Sequence, residues 1–108
     1  MATPNNQDPV RRSRRIQVRI PIILSGMLPD GKPFKEDTYV VTVSKYGGKI
    51  KSVQPLKAGA RVKIQPRNSK ESDMVRVAWV GHEGTSRAGE MGIEYLKLSK
   101  ILGVAFPE

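Results

Sequence analysis

The chain has 108 residues and a formal net charge of +9, from 19 lysines and arginines against 10 aspartates and glutamates. A domain of this length buries roughly two-thirds of the surface of its unfolded chain, so one core suffices. The lack of cysteine excludes disulfides and thiolate metal sites, while the charge predicts an anionic partner such as a nucleotide, a nucleic acid, an acidic membrane surface or an acidic protein.

The N-terminal residues predict a disordered leader over residues 1–10. Ala2 to Pro9 hold two prolines and small polar side chains, which cannot contribute to a core. They also lack the hydrophobic block of a signal peptide, and no apolar stretch of the chain approaches the roughly 18 residues that span a bilayer. We therefore expect a cytoplasmic protein without a membrane span.

A cluster of arginines follows the leader as Arg11-Arg12-Ser13-Arg14-Arg15. Guanidinium groups are planar forks that bond phosphate oxygens two at a time and stack on aromatic bases. We interpret residues 11–15 as a flexible basic arm that binds nucleotides or phosphates. A merely solvated basic tail is the alternative interpretation.

Alternating apolar and polar residues predict six short strands between residues 16 and 95. Turn residues at Pro29–Lys32, Gln54–Gly59 and Gly81–Glu90 separate several of them. The predicted strands are Ile16–Leu24, Tyr39–Ser44, Lys49–Val53, Ala60–Gln65, Met74–Val80 and Met91–Tyr95. This pattern is typical of an all-β, six-stranded antiparallel barrel in a single domain over residues 11–108.

Apolar residues recur at helical spacing after the last predicted strand. They are Leu96, Leu98, Ile101 and Leu102. We therefore predict a short C-terminal helix within the segment 96–108.

Little in the sequence indicates catalysis, and we expect no enzyme activity. The one histidine, His82, sits in a glycine-rich loop without a nucleophile or metal partners, and that loop does not match a phosphate-binding P-loop. Carboxylates are few and scattered, whereas acid and base chemistry needs two in different environments. Trp79 alternates with Val75 and Val77, so we place it in the barrel core, whereas Tyr46 precedes two glycines at a turn and lies at a rim.

Four motifs in order resemble the PilZ domain family. They are Arg11-x-x-x-Arg15 before a strand, Thr42-Val43-Ser44-Lys45-Tyr46-Gly47-Gly48, Val75-Arg76-Val77-Ala78-Trp79-Val80, and Met91-Gly92-Ile93-Glu94-Tyr95. The resemblance extends from Arg11 to Ser99. PilZ domains are six-stranded barrels, and many are bacterial receptors for the second messenger cyclic di-GMP.

The resemblance implies a binding site for cyclic di-GMP, with no other cofactor and no metal. Arg11 and Arg15 would wrap over the nucleotide, and the turn with Ser44 and Gly47 would present the barrel surface to it. The full set of implied ligand-binding residues is Arg11, Arg12, Arg14, Arg15, Thr42, Ser44, Gly47 and Gly48. Arg12 and Arg14 would add electrostatic attraction, and Gly47 would allow a positive φ angle or close backbone approach. A single-domain receptor of this kind would relay its signal through an unknown protein effector.

Thr42 departs from the family pattern, which has aspartate or asparagine at this position. A threonine hydroxyl is shorter than a carboxylate and uncharged, so one contact to guanine is weakened. A PilZ-like module that binds only proteins is therefore one alternative function. A basic barrel that binds RNA or DNA is another, but six aromatic residues, most at core-like positions, provide too few stacking platforms.

Overall fold

A computed structural model describes residues 15–103, in which six antiparallel strands close into a barrel. The strands are β1 (Ile16–Met27), β2 (Pro33–Ser44), β3 (Gly47–Lys51), β4 (Arg61–Pro66), β5 (Asp73–Val80) and β6 (Glu90–Tyr95). Their order around the barrel is β1-β2-β3-β6-β5-β4. The predicted all-β, six-stranded antiparallel barrel is confirmed, whereas the predicted leader and most of the arginine arm lie outside the described residues.

The core fills the barrel with side chains from all six strands. Alternation along β4 turns Val62 and Ile64 inward, as predicted, and both are fully buried. The other buried apolar residues on strands are Ile22, Leu24, Val40, Val43, Ile50, Val75, Val77, Met91 and Ile93. Leu56 and Leu102 cover this core from outside the strands.

Three of the strands carry irregularities at which their register against a neighbouring strand shifts. The register of β1 against β2 shifts between Gln17 and Ile20, and that of β2 against β3 shifts between Val40 and Thr42. A third shift in β5 leaves Ala78 without an opposite residue and sets Trp79 across from Gly92 on β6. Bulges bend a strand and re-aim its side chains. The prediction that Trp79 belongs to the barrel core is therefore wrong, because the bulge turns this residue away from Val75 and Val77.

Gly47 and Gly48 begin β3. The sequence predicts instead that these two flexible glycines lie between the second and third strands. Gly47 is buried and has no positive φ angle, so of the two reasons expected for a glycine here the positive φ angle does not apply. Close packing explains the glycine instead: a Cβ on Gly47 would lie 2.7 Å from Cα of Glu94 and would collide with the carbonyl oxygen of Ile93. β3 and β6 therefore approach each other too closely at Gly47 for any side chain to fit.

The predicted C-terminal helix does not form between Leu96 and Gly103. These residues follow β6 as bends and turns, in which the backbone nitrogen of Ile101 donates to Oγ of Ser99 at 3.0 Å. Only Leu102 of the apolar residues in this segment is buried, so their spacing does not define one helical face. Within residues 15–103, no helix has the length and hydrophobicity that crossing a membrane requires.

Tyr95 at the end of β6 gives the fold a dependence on alkaline pH. Burial, with the charge of Asp73 as a smaller cause, raises the pKa of Tyr95 from 10.0 to about 12. The unfolded chain ionises this tyrosine at its ordinary pKa, so its contribution to stability is complete below pH 10 and is lost as the pH rises toward 12. We expect a Tyr95→Phe variant to lose less free energy of unfolding than the parent across this range, as measured by urea unfolding. Equal losses would contradict this assignment.

Candidate functional site

A cavity of about 530 Å³ lies on the barrel surface where five of the six strands contribute residues. The residues that line it are Arg15, Gln17, Thr42, Ser44, Tyr46, Gly47, Gly48, Lys49, Ala78, Trp79, Arg87, Gly92, Ile93 and Glu94. All three bulged segments contribute, through Gln17 on β1, Thr42 on β2 and Ala78 with Trp79 on β5. The irregular part of the barrel therefore forms this cavity.

The predicted site residues that the structure describes all line this one cavity. They are Arg15, Thr42, Ser44, Gly47 and Gly48. Arg11, Arg12 and Arg14 lie outside the described residues, but Arg15 immediately precedes β1 and is exposed at the cavity.

The turn between β2 and β3 holds its shape through bonds of its own and through β6. Oγ of Ser44 donates to the carbonyl oxygen of Gly47 at 3.4 Å, and the backbone nitrogen of Tyr95 donates to the carbonyl oxygen of Tyr46 at 2.9 Å. Thr42 is 7 % exposed, so its side chain reaches the cavity from a nearly buried position. Tyr46 is 42 % exposed at the rim, as predicted.

Three glycines form the floor of the cavity, and at each of them a neighbouring group takes the space of a side chain. A Cβ on Gly48 would collide with the carbonyl oxygen of Thr42, and one on Gly92 would collide with Nε1 of Trp79. Together with Gly47, they let neighbouring groups pack directly on the backbone of β3 and β6. The Trp79 indole covers Gly92 at one side of this floor.

Trp79 and Arg87 form an aromatic and cationic wall that sequence reasoning missed. The Cζ atom of Arg87 lies 4.8 Å from the centroid of the Trp79 ring, a stacked cation–π contact. Arg87 belongs to the loop between β5 and β6, and a Cβ on Gly81 would collide with the carbonyl oxygen of Arg87. The backbone of Arg87 is therefore packed tightly against Gly81. The sequence signal for the close approach of Trp79 to β6 was Gly92, because a glycine inside a strand often marks a place where another group packs on the backbone.

Lys49 and Glu94 also line the cavity, although neither was predicted to, and they carry opposite charges. Glu94 accepts a hydrogen bond from Nη2 of Arg76, whereas Nζ of Lys49 lies 3.5 Å from Oε1 of Glu90. Arg15, Lys49 and Arg87 line the cavity against the single carboxylate of Glu94, so its lining carries a net positive charge.

Two lysines lower the pKa of Glu90 beside the cavity. Burial raises the pKa of this carboxyl, but the hydrogen bond from Lys51 and the charges of Lys49 and Lys51 together outweigh burial and lower the pKa below its ordinary value. Nζ of Lys51 lies 3.1 Å from Oε2. The carboxylate of Glu90 thus pairs with two ammonium groups.

Neither the histidine nor the carboxylates among residues 15–103 gather into a metal-binding group. His82 is exposed in the loop between β5 and β6, and its carbonyl oxygen accepts a bond from Oγ1 of Thr85 at 2.6 Å. Among residues 15–103, no group of three or more histidine, cysteine, aspartate or glutamate side chains is placed to hold a metal ion. Within the described residues, this cavity brings together cationic side chains, an aromatic ring and glycines.

Fold and site together define a small antiparallel barrel with a cationic surface cavity that has one aromatic wall. Such a cavity suits a planar, negatively charged molecule, because the indole accepts a flat ring while the guanidinium and ammonium groups attract anions. No protein-family model matches the chain, and no curated protein is significantly similar to it.

Proposed function

We propose that the protein is a PilZ-domain receptor that binds cyclic di-GMP in this cavity and relays the signal to a protein partner in the bacterial cytoplasm. One observation carries the proposal: Arg15 is far in sequence from the hairpin that holds Thr42, Ser44, Gly47 and Gly48, yet all five residues line one cavity. Neither core packing nor barrel closure requires an arginine at position 15, which is exposed. A ligand explains its presence there.

The chemistry of the cavity matches the parts of the ligand. Cyclic di-GMP has two guanine rings and two phosphates, and guanine presents its O6 and N7 acceptors to the fork of an arginine. Arg15 and Arg87 supply such forks, while the face of Trp79 accepts a ring once Arg87 has moved aside. The cavity volume of about 530 Å³ falls within the usual range for small-molecule sites, about 300–1,000 Å³.

Arg11, Arg12 and Arg14 would close the site from the side of Arg15. Because these residues are close to Arg15 in the sequence, they would bring three more guanidinium groups to a ligand that carries two phosphate charges, or four when two molecules stack. Ordering a segment on binding consumes part of the interaction energy, but it also creates a new surface. We propose that this new surface is what the protein effector recognises.

Calorimetric titration of cyclic di-GMP into the purified protein tests the proposal. GTP and a short oligonucleotide serve as controls, each at low and at physiological salt. Saturable heat with cyclic di-GMP alone is expected. Steeply salt-dependent binding of the oligonucleotide would instead support the nucleic-acid alternative, and flat traces with all three would support a protein interaction module.

Replacing Thr42 with aspartate is expected to strengthen binding of cyclic di-GMP by roughly tenfold, since a charge-assisted bond to guanine replaces a neutral one. The nearby cations Arg15 and Lys49, which line the same cavity, make a carboxylate tolerable at this nearly buried position. Thr42→Asn is the matched variant that changes shape without charge. The affinities come from the same calorimetric titration, and no gain with either variant would show that guanine is not read at residue 42.

A further inference from the structure

The two carboxylates nearest the cavity are each neutralised by a cation that does not line it. Glu94 pairs with Arg76, and Glu90 pairs with Lys51 at 3.1 Å. Neither Arg76 nor Lys51 lines the cavity. An anion that enters the cavity is therefore shielded from both carboxylates. The cations that line the cavity are not needed for this shielding.

Lys49 is the second cation on Glu90, and its position differs from that of Lys51. Strand pairing sets Lys51 directly across from Glu90, whereas Lys49 lies across from Gly92 and reaches the carboxylate diagonally. Directly opposite residues are the natural contact pairs of an antiparallel sheet, and diagonal neighbours are farther apart. The distances agree, since Nζ of Lys49 stands 3.5 Å from Glu90 and that of Lys51 stands 3.1 Å away.

We propose that Lys49 exchanges partners when the site fills: its ammonium group leaves Glu90 and binds a phosphate of the nucleotide, while Lys51 remains on Glu90. This inference rests on the proposed function and adds a specificity-determining residue to the same site. The exchange moves no proton and breaks no covalent bond. Glu90 keeps a counter-charge throughout, so no carboxylate is left unpaired beside the ligand.

The proposed exchange explains why one carboxylate holds two lysines. With the ligand absent, Glu90 keeps the Lys49 side chain extended along the cavity wall, where an anion meets it. Lys49 lies across from Gly92, which has no side chain of its own and is covered by the Trp79 indole. Lys49 itself lines the cavity, so its ammonium group can meet an anion there without a side chain of β6 directly opposite it. Glu90 and the phosphate then compete for the same ammonium group, and Glu90 sets how tightly the phosphate is bound.

Calorimetric titration of cyclic di-GMP into four proteins tests this exchange: the parent, Lys49→Gln, Glu90→Gln and Lys63→Gln. Lys63 is an exposed residue of β4 outside the cavity, so its variant loses the same charge without touching the site. We expect Lys49→Gln to weaken binding about fivefold to tenfold and Lys63→Gln to change it by less than about twofold. Glu90→Gln is expected to tighten binding about twofold to fivefold while lowering the melting temperature, because it releases Lys49 but removes two ion pairs.

Opposite changes in affinity and stability for Glu90→Gln distinguish the exchange from a purely structural ion pair. Equal affinities of the Lys49→Gln and Lys63→Gln proteins, or weaker binding by Glu90→Gln, would overturn the inference while leaving the receptor intact. A parent protein that gives no saturable heat would overturn the proposed function, and the exchange along with it. Thermal unfolding of all four proteins verifies that each one is folded.

Discussion

Replacing Arg15 with alanine is expected to weaken cyclic di-GMP binding by roughly tenfold to a hundredfold and to leave the melting temperature unchanged. A hydrogen bond to a charged group contributes about 1.5–3 kcal/mol, which corresponds to this loss in affinity. Arg15 is exposed at the cavity and precedes β1, so the core does not depend on its side chain. Calorimetry measures the affinity, and thermal denaturation followed by circular dichroism measures the stability.

Arg67→Ala provides the matched control for Arg15. This arginine is also exposed, follows β4 and does not line the cavity, so removing it lowers the net charge equally. An affinity close to that of the parent is expected. Equal effects of the two variants would show that Arg15 acts only through overall charge, and an unchanged affinity of Arg15→Ala would contradict the assigned site.

The largest effect on stability is expected for Gly47→Ala. A Cβ at this position meets backbone atoms of Ile93 and Glu94 rather than a flexible side chain, so β3 and β6 must separate to admit it. Overpacking of this kind costs about 3 kcal/mol, which lowers the melting temperature by roughly 10–20 °C in a domain of this size. Thermal unfolding measures the shift, and ligand binding should be lost with the floor of the cavity.

Gly26→Ala separates this effect from the general cost of replacing a strand glycine. Gly26 lies in β1 and has an ordinary φ angle, and its new Cβ would first meet side-chain atoms of Val62 and Phe34 at 3.2 and 3.3 Å. Those side chains can adjust, so a loss of about 1 kcal/mol or less is expected. A Gly47→Ala protein as stable as Gly26→Ala would mean that β3 and β6 are free to move apart.

The barrel was predictable because burial in a sheet depends on a period of two. Alternation along β1 and β4, with turn residues between strands, indicated both the number of strands and which side chains face inward. The same reasoning failed after β6. Leu96, Leu98, Ile101 and Leu102 satisfied a helical spacing, yet Leu96 and Leu98 are exposed and only Ile101 and Leu102 pack on the core. Apolar spacing alone does not decide whether a segment forms a helix.

The cavity was only partly predictable, for a physical reason that Trp79 illustrates. Reading every second residue as inward assumes an unbroken register, and the extra residue Ala78 breaks it one position before Trp79. Lys49 and Glu94 were missed because cross-strand neighbours depend on register, which the sequence does not state. Arg87 was missed because it lies in a loop, whose path the strand pattern does not predict. The residues that were found came from local motifs, which do not require the register to be known.

The one strand that contributes no residue to the cavity, β4, pairs with β1 in regular register. Fully buried side chains such as Ile22, Leu24 and Ile64 lie in this regular part and do not line the cavity. Wall side chains such as Gln17 and Arg87 are exposed, so exchanging them changes ligand preference at little risk to folding. The glycine floor has no such freedom, because neighbouring groups already fill the space of a Cβ there. Evolution or design can therefore retune this pocket through its rim, provided the three glycines are kept.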